Sequence, residues 1–226
     1  NEILGLDSLA LLKDRSFLVF IVSSFLICIP LAAYYAFAPV FVNHIGFSNP
    51  AFTMTFGQMS EIAFMLVMPL CFRFLGIKKM LLVGMGAWVL RYGLFSFAAP
   101  DQVLWMVMGG ILLHGICYDF FFVTGQIYTD KVARPEIRAQ AQGFLVLVTQ
   151  GLGMLIGAQV SGAMYEKMVL SKIKIAEAPE TGAFVESMPF WKSFWIVPCI
   201  AAGVILVLFF LFFRDSADEP EEENAA

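Results

Sequence analysis

Charge is what this sequence has least of. Only 14% of its 226 residues are Asp, Glu, Lys or Arg, where a soluble domain carries about 25%. The hydrophobic share is 60%, and mean hydropathy is +0.81. A water-soluble globule of that composition would expose large apolar patches. That excludes an ordinary cytosolic enzyme, a nucleic-acid-binding domain and a secreted disulfide scaffold. The net charge of −4 misleads, because much of the acid sits in the closing run DSADEPEEENAA. Cysteine is scarce and scattered: Cys28, Cys71, Cys117 and Cys199 each lie in an apolar run, with no CxxC pair and no Cys/His cluster. Neither a disulfide framework nor a metal site follows, no cofactor pattern is present, and the four read as packing residues. The chain opens on Asn1 without a cleavable signal, so its natural start is expected upstream.

What the sequence does have is long apolar runs. A bilayer core of about 30 Å takes about 20 residues of helix. Six stretches qualify: Phe17–Val42, Thr53–Leu75, Lys79–Ala98, Val103–Tyr128, Ala139–Tyr165 and Phe190–Phe213. Between them lie turn and charge signals, among them Gly46 to Pro50, Gly76-Ile77-Lys78 and Ala99-Pro100-Asp101. The fold class is therefore an all-α integral membrane bundle over residues 17–213. A lead-in at 1–16 precedes it, an acidic tail at 214–226 is expected to be disordered, and an exposed loop is expected over 167–189.

Basic residues set the orientation. Nine (Lys13, Arg15, Arg73, Lys78, Lys79, Lys131, Arg134, Arg138 and Arg214) fall on one side. Four (Lys167, Lys172, Lys174 and Lys192) fall on the other. Both ends of the segment are thus expected to be cytoplasmic, in a plasma (inner) membrane. Trp105, Trp191 and Trp195 stand at outer ends of spans, where interfacial anchors belong. Gly143, Gly151, Gly153, Gly157 and Gly162 recur along span five, where small residues let helices approach in lipid.

Charges at bilayer depth cost about 2.5–3.5 kcal/mol each on insertion scales, so they are retained for a reason. Glu61, Arg91 and Asp119 are the strong cases; Gln58, His114, Gln126 and Gln150 are weaker. At 1.5 Å per residue, Glu61 and Arg91 both lie about 12 Å below the outer face, on consecutive helices. A self-neutralising Glu61–Arg91 salt bridge is one reading. In the other, Glu61 and Gln58, three residues apart on one helix face, look into a water-filled cavity and grip a polyhydroxylated ligand. Asp119 has no Lys or Arg within a helical turn, a setting suited to a carboxyl that carries a proton. Tyr118, Phe120, Phe121 and Phe122 surround it with ring faces for a flat heterocycle. His114, about 140° around the helix from Asp119, reads as a packing residue.

These residues and runs resemble a known family. Six spans with the basic loop RFLGIKK between the second and third resemble one half of a major facilitator superfamily transporter. LGLDSLALLKDRSF, GQMSE, AWVLRYGLFSF and YDFFF…TDK…IRAQAQG are similar, in order and spacing, to the C-terminal half of the nucleoside:proton symporter family. The resemblance implies helices seven to twelve of a twelve-helix permease, completed by an N-terminal half. It implies proton-coupled import of nucleosides, or a closely related polar solute, by alternating access. Gln58, Glu61 and Asp119 are the implied polar contacts, with Glu61 and Asp119 as proton-coupling groups and Arg91 as intramembrane charge partner. In helix seven, Ala32 and Tyr35 stand where the family's best-known members carry amides. Phe122 stands in place of an Asn. Tyr35, Tyr118 and Phe122 complete the implied substrate set. Protons, lipid and solute are the expected partners, and nucleic acid is not.

Two other classes compete. An intramembrane enzyme would need more than isolated titratable groups, and no HExxH or GxSxG is present. A non-transporting receptor or scaffold would be expected to lose its cavity carboxylates, which this chain keeps. A sugar-like solute is the alternative cargo.

Overall fold

The computed structural model describes the backbone over residues 6–172 and 182–215. A short 3-10 segment, Leu6–Lys13, leads into α1, Arg15–His44. Asp14 caps α1 by accepting the Phe17 amide at 2.7 Å, which satisfies one of the donors a helix start leaves open. Asn49 caps the next helix in the same way, and Pro50 fills its first turn, where no backbone donor is needed.

The helical run Pro50–Asp101 covers 52 residues. At 1.5 Å per residue it would be about 78 Å long if straight, over twice a bilayer core. It is two spans, broken at Gly76 with φ 67° and ψ 177°. That region is essentially glycine-only. We call the pieces α2 (50–75) and α3 (77–101). The three-residue connection expected at Gly76-Ile77-Lys78 contracts to one residue, and Ile77 is already buried.

α4, Leu104–Val132, is loosened at Leu113 and carries a π-helical turn over Asp119–Val123. α5, Pro135–Leu170, holds two more π turns, Leu147–Gly153 and Glu166–Leu170. α6 is Gly182–Phe212. Among the described residues five runs are long and apolar enough to cross a membrane, and the one split at Gly76 makes six spans. The chain is a multi-pass, all-helical membrane protein, with no strand among the described residues.

Some expectations change. The loop expected over 167–189 is helix at both ends, up to Lys172 and again from Gly182, with Pro189 inside α6, and 173–181 lie outside the described residues. Lys174 lies outside the described residues, as do 1–5 of the lead-in and 216–226 of the acidic tail. Trp105 is 73% exposed, as an anchor would be, but Trp191 and Trp195 are fully buried. They sit in an aromatic core with Phe41 and Phe95, ring centroids 5.1–6.1 Å apart.

Of the five span-five glycines, two meet a neighbour. A Cβ on Gly153 would lie 2.8 Å from Cys28 Cβ, and one on Gly157 would lie 2.7 Å from Ala32 Cβ. These contacts seat α5 on α1. Gly143 and Gly162 face open space, and Gly151 meets the Leu147 side chain of its own helix. α3 is tied to α6 by Ser96 Oγ donating to the Lys192 carbonyl at 3.0 Å and Lys78 Nζ donating to the Phe213 carbonyl at 2.7 Å.

Candidate functional site

The site begins where α2 crosses α4. The Gly115 amide donates to Ser60 Oγ at 3.0 Å, and a Cβ on Gly115 would stand 2.5 Å from the Ser60 carbonyl oxygen. Only a residue without a side chain permits that approach. It sets the residue after Ser60, Glu61, and the residue before Gly115, His114, side by side. His114 Nε2 is 3.7 Å from Glu61 Oε2, and His114 Nδ1 is 3.2 Å from Arg91 Nη2.

The direct Glu61–Arg91 salt bridge, one of the two readings of these charges, is not formed; an imidazole stands between the two side chains, in the middle of a three-residue chain. His114, read from the sequence as a packing residue, is buried with its two ring nitrogens toward Arg91 and Glu61. Arg91 is fully buried, and its Cζ lies 4.1 Å from the centroid of the Tyr34 ring. A cation over a ring face is stabilised by the ring quadrupole, which offsets part of the cost of burial. The side chain of Glu61 is 26% exposed, so the chain runs from a buried cation to a partly open carboxylate.

Other expected residues gather around that carboxylate. Gln58 is exposed one turn before it on α2. Tyr35 is 44% exposed and stands edge-on to His114 at 6.2 Å. Tyr118 lies 6.0 Å from His114 and 5.2 Å from Phe122. Ala32 points elsewhere, buried against Gly157.

Asp119 is fully buried at the start of the α4 π turn, and both carboxylate oxygens lack a hydrogen-bond partner among the described residues. Such turns re-aim side chains and recur at functional sites. The aromatic cage expected around Asp119 is not collected there. Phe120 meets Phe64 of α2, while Phe121 meets Trp88 of α3 and Phe20 of α1. Tyr118 remains the ring beside His114, while Phe122 is buried between Tyr118 and Trp88 of α3, 5.2 and 5.7 Å away. Gln126 and Gln150 are both exposed, and the Gln126 carbonyl accepts from Gln142 Nε2 at 2.8 Å. No cluster of three metal-ligating side chains occurs among the described residues.

Two contributors escape sequence reasoning: His114 as the link, and Tyr34 as the platform under Arg91. Depth was the available signal for His114. Counted from Val103, it lies about 16 Å down, within a turn of the level shared by Glu61 and Arg91.

An all-helical membrane bundle with charged groups carried inward from several helices is a solute-transporter architecture. Known proteins agree and sharpen this. The nucleoside H+ symporter family model matches residues 1–218, and the chain belongs to that family. It is 42% identical to "Putative nucleoside transporter YegT" of Escherichia coli over 96% of this chain and 49% of that protein. It is 28% identical to the nucleoside permease NupG of Escherichia coli, over 94% of this chain and 49% of the permease. Xanthosine permease of the same organism is 27% identical over 99% of this chain and 52% of that protein. The crystal structure of nucleoside transporter NupG superposes with a TM-score of 0.74 at 25% identity, covering 93% of this chain and 51% of that structure. The chain spans about half the length of the curated relatives it matches. Its family is one of transporters, not enzymes.

Proposed function

We propose that these six helices are the C-terminal half of a twelve-helix permease that imports nucleosides, or a closely related polar solute, together with protons. One observation carries the reading. Two carboxyl groups sit at membrane depth on neighbouring helices, Glu61 partly open and Asp119 buried without a hydrogen-bond partner among the described residues. An open carboxylate beside an exposed amide suits the hydroxyls of a ribose, and Gln58 and Glu61 take that role. Tyr35, Tyr118 and Phe122 supply ring faces for the base. A buried, unpartnered carboxyl costs least when neutral, so Asp119 takes up the transported proton and releases it when the halves rock. Glu61 is the second proton-coupling candidate, and Arg91 its charge partner through His114.

The nine-to-four distribution of basic residues supports cytoplasmic ends, and the family resemblance favours an inner membrane. The N-terminal half of the same protein supplies the facing wall of the cavity. The test is uptake by the full-length protein in proteoliposomes under an imposed pH gradient, with labelled uridine competed by nucleosides and sugars. Competition by nucleosides and dependence on the gradient are expected. Competition by sugars alone would move the cargo to another class. Glu61→Gln, which keeps shape and loses charge, should reduce uptake at least tenfold, on the order of the loss of one charged hydrogen bond, while insertion stays normal.

A further inference from the structure

The proton on His114 has a defined place. Arginine carries donors and no acceptor. The 3.2 Å contact between Arg91 Nη2 and His114 Nδ1 therefore makes Nδ1 the acceptor. The ring proton falls on Nε2, the nitrogen 3.7 Å from Glu61 Oε2. A second ring proton would set one N–H against another at Arg91.

The Arg91 end of this chain is closely packed. The His114 ring stacks on Tyr34 with centroids 5.6 Å apart and planes 21° apart, and the Arg91 guanidinium lies over the same ring. Tyr35 of α1 and Tyr118 of α4 close the remaining sides of the imidazole at 6.2 and 6.0 Å. The titratable and charged groups facing His114 are thus Tyr34, Tyr35, Glu61, Arg91 and Tyr118. Glu61, with its side chain 26% exposed, is the most open member of the chain from Arg91.

We propose that His114 is a positioning residue for Glu61: a neutral imidazole, fixed as the Nε2–H tautomer by Arg91, aims its N–H at the carboxylate and sets the orientation in which Glu61 meets substrate. The proposal rests on the reading of Glu61 as a substrate contact. At 3.7 Å the His114–Glu61 contact is longer than a hydrogen bond. Contacts of this kind often tighten only when a ligand fills the site. His114 thereby ties the affinity of an open carboxylate to a buried guanidinium that never touches the ligand.

Two near-isosteres separate the ends of the chain, tested in the full-length protein in proteoliposomes with labelled uridine. His114→Gln keeps an amide donor near the Nε2 position, whereas His114→Asn keeps an acceptor near Nδ1 and loses the donor. His114→Asn is expected to raise KM about tenfold with Vmax little changed, and His114→Gln to stay near the parent. Equal losses in both variants would show a packing role and overturn the proposal. In a Glu61→Gln background, His114→Asn should add nothing; additive effects also overturn it.

A readout without transport is the 15N spectrum of histidine-labelled protein, assigned by comparison with His114→Gln. A bare Nδ1 and a protonated Nε2 are expected, and the opposite tautomer would refute the chain from Arg91. Full activity of Glu61→Gln alone would instead remove the substrate reading of Glu61 and this proposal with it. Loss in Glu61→Gln beside a normal KM in His114→Asn removes only the proposal.

Discussion

Asp119 and Arg91 handle buried charge in different ways. Arg91 Nη2 meets an imidazole and the guanidinium lies over a ring, with Glu61 one residue further along the chain. Asp119 has no such partners among the described residues, so neutralisation by a proton is its route to a stable buried state. Asp119→Asn fixes the neutral state permanently. Uptake driven by a pH gradient should fall to the equilibrium level, while exchange of internal for external nucleoside continues. Measured against external pH, accumulation in the parent should rise as the medium is acidified, and the variant should give a flat line. Concentrative uptake with unchanged pH dependence in the variant would transfer the coupling role to Glu61. The depth and kind of these residues were legible in the sequence, since charges stand out in apolar runs. Their partners were not, because a helix-by-helix count gives level without azimuth. The count brought Glu61 and Arg91 to one height but could not show a ring from α4 between them.

At the scale of elements, two glycines make the geometry. Gly76 turns α2 into α3 with one residue, in backbone that other residues avoid. Gly76→Ala should lower stability by about 1–3 kcal/mol, read as earlier unfolding in detergent, with little change in KM. Gly115 acts differently. Its absent Cβ would stand 2.5 Å from backbone, not from a flexible side chain, so Gly115→Ala must move α4 away from α2. It should widen the His114–Glu61 gap and weaken uptake even where the protein still inserts. A Gly115→Ala protein with unchanged KM and stability would contradict the crossing. The sequence placed glycine signals at the Gly76 break but stretched the turn to three residues, because the lysines beside it looked like loop. Lys78 instead donates to the Phe213 carbonyl, just past the end of α6, a favoured place for a cation. Trp191 and Trp195 misled for the reverse reason. Aromatics near a span end fit both an interface belt and a core, and composition alone cannot separate the two.

For the whole molecule, faces matter more than spans. Gln58 and Met59 are adjacent on α2, at the same depth and both exposed. One residue turns the helix about 100°, which parts their surroundings. Met59 lines an apolar cleft of about 520 Å³ with Phe56, Ala63, Leu112 and Ile116, a surface suited to lipid. Gln58 lies one turn from the Glu61 carboxylate, on the side proposed to face substrate. In a protein freed of its own cysteines, Gln58→Cys should react with a water-soluble thiol reagent, and saturating uridine should protect it. Met59→Cys should resist the same reagent with or without uridine. Arg134→Cys and Asp101→Cys, both exposed and at opposite ends of α4, provide the frame. The first should label only from the cytoplasm and the second only from outside. Labelling of Arg134→Cys from outside would invert the orientation. Equal reaction at Gln58→Cys and Met59→Cys would remove the distinction between a cavity wall and a lipid wall on which the transport reading depends.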